Sequence, residues 1–232
     1  MTDPVFRRHA LYFLPRTTEP WVRFATDWLG WDAEAGAEVA HPDVPGLPLP
    51  VAQITERPRK YGLHATIKAP FRLAPGVSEE DLKTAAAALC STLKPVMLDA
   101  LAVTRLGRFL ALRPVGDETA LNALAGACVE GLDPCRDALT EAELAKRRAS
   151  RLTPAQDALL LQWGYPYVMD EFHFHITLSG PYPQDIQAPV ADALEARLHP
   201  MLPRPFVIDE LALAGEADDG RFHLVHRYAL SG

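Results

Sequence analysis

The sequence predicts an α+β fold made of two repeated lobes within one domain. Three observations point there. Short runs alternate apolar and polar residues, the period of strands, while other stretches place apolar residues at helical spacing. The two halves of the chain carry the same landmarks in the same order. Prolines number 21 among 232 residues, against a usual share of about 5%, which argues against one long helical bundle.

The elements follow in order. His9–Leu14 reads as a strand closed by Pro15. Val22, Phe24, Ala25, Trp28 and Leu29 predict a helix over 19–29, stopped by Gly30. The stretch 31–60 is rich in Pro and Gly and reads as surface loop. Gly62–Lys68 reads as a strand ended by Pro70. Ser78, followed by Glu79, Glu80 and Asp81, opens a helix over 78–93, its acids placed in the positive first turn. Strands are expected over 96–104 and 108–113, with Leu106-Gly107 as the turn. A helix covers 118–131, and 132–162 holds one or two more, one of them opened by Thr153-Pro154. A loop over 164–169 precedes a strand over 172–179. A helix over 185–198 and strands over 206–212 and 221–228 complete the chain.

The repeat rests on four matched features. His64-Ala65-Thr66-Ile67 and His175-Ile176-Thr177-Leu178 are the same tetrad, H-x-T-x. Each is followed by a proline, Pro70 or Pro181, and then a helix. Each helix leads to an apolar-Asp pair, Leu98-Asp99 or Ile208-Asp209. Each half then has a Gly-Arg-Phe, 107–109 or 220–222, opening a last strand. The lobes are placed at about 1–115 and 116–232, with a helical insertion at about 132–170.

Residues i and i+2 of a strand share a face. His64 therefore points with Thr66, and His175 with Thr177. Related by a pseudo-twofold, the two pairs face each other across one cleft. Imidazole titrates near neutrality, so one histidine takes a proton from a nucleophile while the other gives one to a leaving oxygen. The threonine hydroxyls donate to the oxygens of a phosphate as charge builds there. In-line displacement at a phosphodiester suits this set, and the set requires neither metal nor cofactor.

These motifs resemble those of the 2H phosphoesterase superfamily, which is defined by two H-x-[ST]-x motifs in a duplicated fold. More closely, Arg59–Phe71 (RKYGLHATIKAPF) and Trp163–Gly180 (WGYPYVMDEFHFHITLSG) resemble the bacterial branch associated with phosphonate-utilisation operons. The resemblance implies a bilobal fold with antiparallel sheets lining a central cleft and helices outside. It implies cleavage of cyclic or linear phosphodiesters at His64, Thr66, His175 and Thr177. The expected partner is a small phosphate ester or nucleotide, with RNA ends in range, and a ribose cyclic phosphate or ribosyl ester in a phosphonate context.

Further side chains are candidates for binding. Lys68 continues the parity of His64 and Thr66 and either faces the cleft, with Ser179 as its counterpart, or lies at the strand end in water. A cation facing the cleft lowers the pKa of His64, which favours His64 as the base and His175 as the acid. Tyr12, Tyr61, Tyr165 and Tyr167 either stack on a sugar or base, or pack. Lys146, Arg147, Arg148 and Arg151 either cap the cleft or form a solvated helix face. Arg57, Arg59 and Lys60 form a smaller basic cluster before the first motif. His173 shares the parity of His175, and a His173/His175/His64 metal site is the rival arrangement. A non-catalytic binder of RNA or a nucleotide is the third. His9, His41, His199, His223 and His226 have no duplicated partner and are read as structural.

Net charge is −7, which argues against a protein that coats nucleic acid, DNA above all. No stretch reaches the roughly 18 apolar residues of a membrane span, and the polar Met1–His9 leads into no signal core. Cys90, Cys128 and Cys135 are odd in number and form no C-x-x-C pair. Reduced thiols in a cytoplasm are expected.

Overall fold

A computed structural model describes residues 5–232, so the first four residues of the polar stretch Met1–His9 lie outside the description. Strand β1 (Arg8–Phe13) leads into α1 (Pro20–Leu29). This helix buries Trp21, Val22, Ala25, Trp28 and Leu29 and ends at Gly30, whose φ of 82° suits the left-handed cap. The following stretch is more ordered than its Pro and Gly content suggests. It holds a hairpin of β2 (Trp31–Asp32) and β3 (Ala37–Glu38) and two short helices, α2 (Val51–Ile54) and α3 (Glu56–Arg59). Buried anchors account for this: Trp31 donates its indole N–H to the Phe222 carbonyl at 2.8 Å, and Val51, Ile54 and Pro58 are buried.

Strand β4 (Ala65–Phe71) runs through Pro70 instead of ending there. Its register against β1 slips twice, with Tyr12 opposite Thr66, Leu11 opposite Lys68 and His9 opposite Phe71. Each slip inserts an extra residue, and a bulge is where a strand tolerates proline. Helix α4 (Glu79–Cys90) has the expected start, with Ser78 and Asp81 closing a capping box. Then come β5 (Val96–Leu98), β6 (Ala100–Leu106) and β7 (Phe109–Val115). The single strand expected over 96–104 is thus broken at Asp99, where the chain leaves one sheet for another.

Helix α5 (Thr119–Gly131) is followed by the insertion, with α6 (Glu141–Arg148) and α7 (Pro154–Trp163). Capping boxes start both insertion helices, Thr140 with Glu143 and Thr153 with Gln156. Strand β8 is only Ile176–Thr177, shorter than the run expected over 172–179. The inward alternation of Phe172, Phe174, Ile176 and Leu178 survives, but ladder pairing is confined to two residues. Beyond them the Ser179 hydroxyl replaces a backbone partner. It accepts from the Leu110 N–H at 2.9 Å and donates to the Gly180 carbonyl at 2.9 Å. Helix α8 (Gln184–Leu198) and strands β9 (Phe206–Ile208), β10 (Glu210–Glu216) and β11 (Phe222–Ala229) end the fold.

One seven-stranded sheet has the order β11-β10-β1-β4-β8-β7-β6, every neighbouring pair antiparallel. Each half of this sheet takes strands from both halves of the chain. β1 and β4 lie beside β10 and β11, while β8 lies beside β7 and β6. The β4–β8 pair aligns Ala65 with Ile176, and the β5–β9 ribbon aligns Met97 with Val207. Both are pairs of repeat-equivalent residues. An antiparallel pairing of equivalents places a local twofold axis between them, so the sequence repeat is a spatial pseudo-twofold.

Helices α1, α4, α5 and α8 cover one face of the sheet in the main core. Ala65, Ile67, Ile176 and Leu178 point into that core at 1% exposure or less. Burying Ile67, Ile176 and Leu178 contributes about 1.5–3 kcal/mol each, which pins both motif strands. Their other face carries the site.

Candidate active site

Ala65 opposite Ile176 fixes the neighbours. His64 lies opposite Thr177, and Thr66 opposite His175, all four on the face away from the helices. Each histidine thus sits beside the threonine of the other motif. The two histidines are diagonal neighbours, a spacing of roughly 7–8 Å.

The imidazoles are held alike. Nδ1 of His64 lies 3.1 Å from the Gly62 carbonyl, and Nδ1 of His175 lies 2.7 Å from the His173 carbonyl. A carbonyl only accepts, so Nδ1 carries the proton and Nε2 keeps its lone pair. Burial lowers the pKa of His64 to about 4, with the bond to Gly62 opposing and His175 adding a small repulsion. Burial also lowers His175, opposed by the His173 carbonyl and assisted by the Arg113 cation. Neither Thr66 nor Thr177 spends its hydroxyl on a bond among the described residues.

Both histidines and both threonines line one cavity of about 410 Å³. Tyr12, Tyr61 and Tyr165 join them there. The Tyr12 ring centroid is 4.3 Å from that of His64, and Tyr61 lies 5.3 Å from His64. The duplicated phenylalanines serve both sides. Phe109 packs on His175, and Phe222 packs on Tyr12 and Tyr61, which flank His64. The cavity lining includes Arg8, Arg57 and Arg147 and no carboxylate. Arg8 is already neutralised by two bonds to Glu216, at 2.5 and 2.8 Å.

Lys68 does not join this group. The bulge after Thr66 breaks the parity that would aim it at the cleft. It is 3% exposed, donates to the Val129 carbonyl at 2.8 Å, and lies 3.5 Å from Asp133. Burial lowers its pKa to about 8. Ser179 does line the cavity, but its hydroxyl is committed to Leu110 and Gly180 as described. Tyr167 lies outside it, in a neighbouring aromatic cavity of about 390 Å³ that shares His175, Thr66, Phe109 and Tyr165. His173 is exposed and opens onto that second cavity. Among the described residues no three His, Cys, Asp or Glu side chains gather into a metal-binding group, so His64, His173 and His175 are not assembled as one.

Of the basic clusters, one residue each reaches the cavity. Arg57 does, while Arg59 caps α1 through the Leu29 carbonyl at 3.1 Å and Lys60 lies over the Tyr61 ring. Arg147 does, stacked 4.8 Å over the Tyr165 ring, while Arg148 pairs with Asp157 at 2.7 Å. Arg113 was not singled out by the sequence. The β7–β8 register sets it beside His175, and only the order of strands in the sheet shows that. The three cysteines are free and buried, and no described helix is long and apolar enough to cross a membrane.

Fold and site together define a two-histidine protein of mixed helix and antiparallel sheet, its paired motifs facing one cavity. A family model described as "Protein of unknown function (DUF1045)" matches residues 66–223, and the chain belongs to that family. It is similar to Ribose 1,5-bisphosphate phosphokinase PhnN of Janthinobacterium sp. (strain Marseille), with 38% identity over 218 residues, covering 92% of this chain and 48% of that protein. The chain therefore spans about half the length of this relative. Among solved structures it is similar to E. coli LigT complexed with NADP+, with 18% identity, a TM-score of 0.41, and coverage of 98% of this chain and 99% of LigT. A crystal structure of a phosphoesterase matches at 17% identity and a TM-score of 0.43, covering 98% and 100% of the two chains.

Proposed function

We propose that the chain is a metal-independent phosphodiesterase that opens a cyclic phosphate on a ribose, with His64 as base and His175 as acid. One observation carries this reading: two imidazoles, bonded alike through Nδ1, present free Nε2 atoms to a cavity lined by arginines and no carboxylate. Nε2 of His64 takes a proton from water as the water oxygen bonds to phosphorus. The bond from phosphorus to one ribose oxygen breaks, and protonated His175 gives that oxygen its proton. The product is a phosphate monoester with a free hydroxyl. Thr66 and Thr177 donate to the two oxygens that stay on phosphorus. His64 takes the base role because its deeper burial keeps it neutral. That role does not depend on Lys68, whose ammonium turns away. A cytoplasmic setting accords with three buried free thiols.

The chemistry of a relative narrows the substrate. Ring opening of a 1,2-cyclic phosphate on ribose 5-phosphate, with cleavage at O2, yields ribose 1,5-bisphosphate. That compound is named as the kinase substrate of a protein about twice as long, about half of which is similar to this chain. A phosphodiesterase joined to that kinase would supply its substrate. The test is a ³¹P NMR assay of ribose 5-phosphate 1,2-cyclic phosphate with and without EDTA. Conversion to ribose 1,5-bisphosphate at an unchanged rate is expected. A rate that EDTA abolishes and zinc restores overturns the mechanism. So does no turnover of this compound or of nucleoside 2′,3′-cyclic phosphates.

Tyr12 provides a second test. Its ring is 1% exposed, and its hydroxyl finds no partner among the described residues. Burial raises its pKa well above the usual value, so the group stays a donor. An orphaned buried hydroxyl costs about 1–3 kcal/mol. Its place on the cavity explains the retention of that cost. Tyr12→Phe is expected to leave the melting temperature equal or higher while kcat/KM falls about tenfold. A variant that loses stability and keeps its activity would make Tyr12 a packing residue.

A further inference from the structure

We propose that Arg57 and Arg147 form a second anion subsite, which holds another phosphate of the substrate while the histidines act on the first. The proposal rests on the phosphodiesterase reading and names what that substrate must carry. The chain has a net charge of −7, and acidic partners occupy the neighbouring guanidinium groups. Arg8 has Glu216 and Arg148 has Asp157. Arg57 and Arg147 take part in no ion pair among the described residues, although both line the cavity of the histidine pair. That cavity has no carboxylate in its lining to neutralise them. Two uncompensated cations in an otherwise acidic molecule focus an attractive field on that cavity.

The two arginines arrive on different elements. Arg57 stands on α3, just before the first motif. Arg147 stands on α6, in the insertion. Two ion pairs tether helix α6 to the rest of the fold: Arg148 bonds Asp157 of α7, and Arg72 bonds Glu143 near its start. The Arg147 guanidinium stacks on Tyr165. Stacking uses the face of the group and leaves its in-plane N–H donors for a planar or tetrahedral anion. Neither arginine has a repeat equivalent in the other half of the sequence. The duplicated residues thus supply a symmetric reacting centre, and these two make the cavity directional.

The experiment compares adenosine 2′,3′-cyclic phosphate with its 5′-phosphorylated form. Wild type is expected to favour the 5′-phosphorylated compound in kcat/KM by tenfold or more. Arg57→Gln and Arg147→Gln are each expected to raise its KM about tenfold to hundredfold, the effect of removing one charged hydrogen bond. The KM for the unphosphorylated compound is expected to rise far less, so the preference itself is what the variants lose. Calorimetry on His64→Ala protein reads the same preference without turnover. No preference in wild type by either measurement, or arginine variants that weaken both compounds equally, overturns the subsite. If neither compound is hydrolysed, the phosphodiesterase reading fails, and the calorimetric difference still decides the subsite.

Discussion

Replacing His64 or His175 with alanine is expected to lower kcat about 10²- to 10⁴-fold, the range for loss of one general acid or base. The double variant is expected to lose little more than the worse single one, because the two groups act as a unit. Steady-state kinetics on a cyclic phosphate checks this, with circular dichroism to confirm folding. Both imidazoles lie on the cavity face, and the strands are anchored by Ala65, Ile67, Ile176 and Leu178, so the fold is expected to survive. Full activity in either single variant ends the two-histidine mechanism. Loss in only one would leave a one-histidine mechanism in its place.

The pH profile is the second large effect. The base must be neutral, and the pKa of His64 is lowered from 6.5 to about 4. The acid limb of kcat/KM is therefore expected near pH 4 rather than 6.5. The acid must be protonated, and burial with the Arg113 cation lowers His175 below its ordinary value. The alkaline limb of kcat/KM should then fall below pH 6.5, giving an acidic optimum. Bound phosphate is an anion beside His175 and favours its imidazolium, so the alkaline limb of kcat should lie higher. A kcat/KM that climbs steadily from pH 6 to 8 contradicts this. Stability follows the same shift. Between pH 6.5 and 4 the unfolded state binds the His64 proton and the folded state does not, so the folded state weakens as pH falls through that window.

Much of this was legible in the sequence because the repeat is a local signal. Two tetrads of one H-x-T-x pattern with matched downstream landmarks predict two strands, two helices and a shared axis. The alignments of Ala65 with Ile176 and Met97 with Val207 express that axis directly. Parity put His64, Thr66, His175 and Thr177 on one face, and the structure brings all four to one cavity, because the slip in β4 comes only after Thr66. It failed one step later at Lys68, where a bulge follows Thr66. A bulge depends on what lies across the ladder, and nothing local announces it. Arg113 was illegible for a related reason, and the basic run that holds Arg147 gave no sign of which of its residues reaches the cavity. Their positions depend on which distant strand or helix is a neighbour. The ordered hairpin and helices within 31–60 were hidden by prolines that mark turns without showing what the turns enclose.

The interleaved strand order also bears on how the chain reaches this state. β1 precedes the other ten strands described, yet one of its edges is completed by β10, with Arg8 opposite Glu216. That contact joins residues near opposite ends of the sequence, so its loop-closure entropy must be met late. While the chain emerges from a ribosome, β1 and β4 can pair with each other, but the edge of β1 stays open until β10 and β11 are synthesised. The pseudo-symmetric halves are therefore not successive folding units. The floor of the cavity, which needs β4 beside β8, is completed only after Ile176–Thr177 has been synthesised.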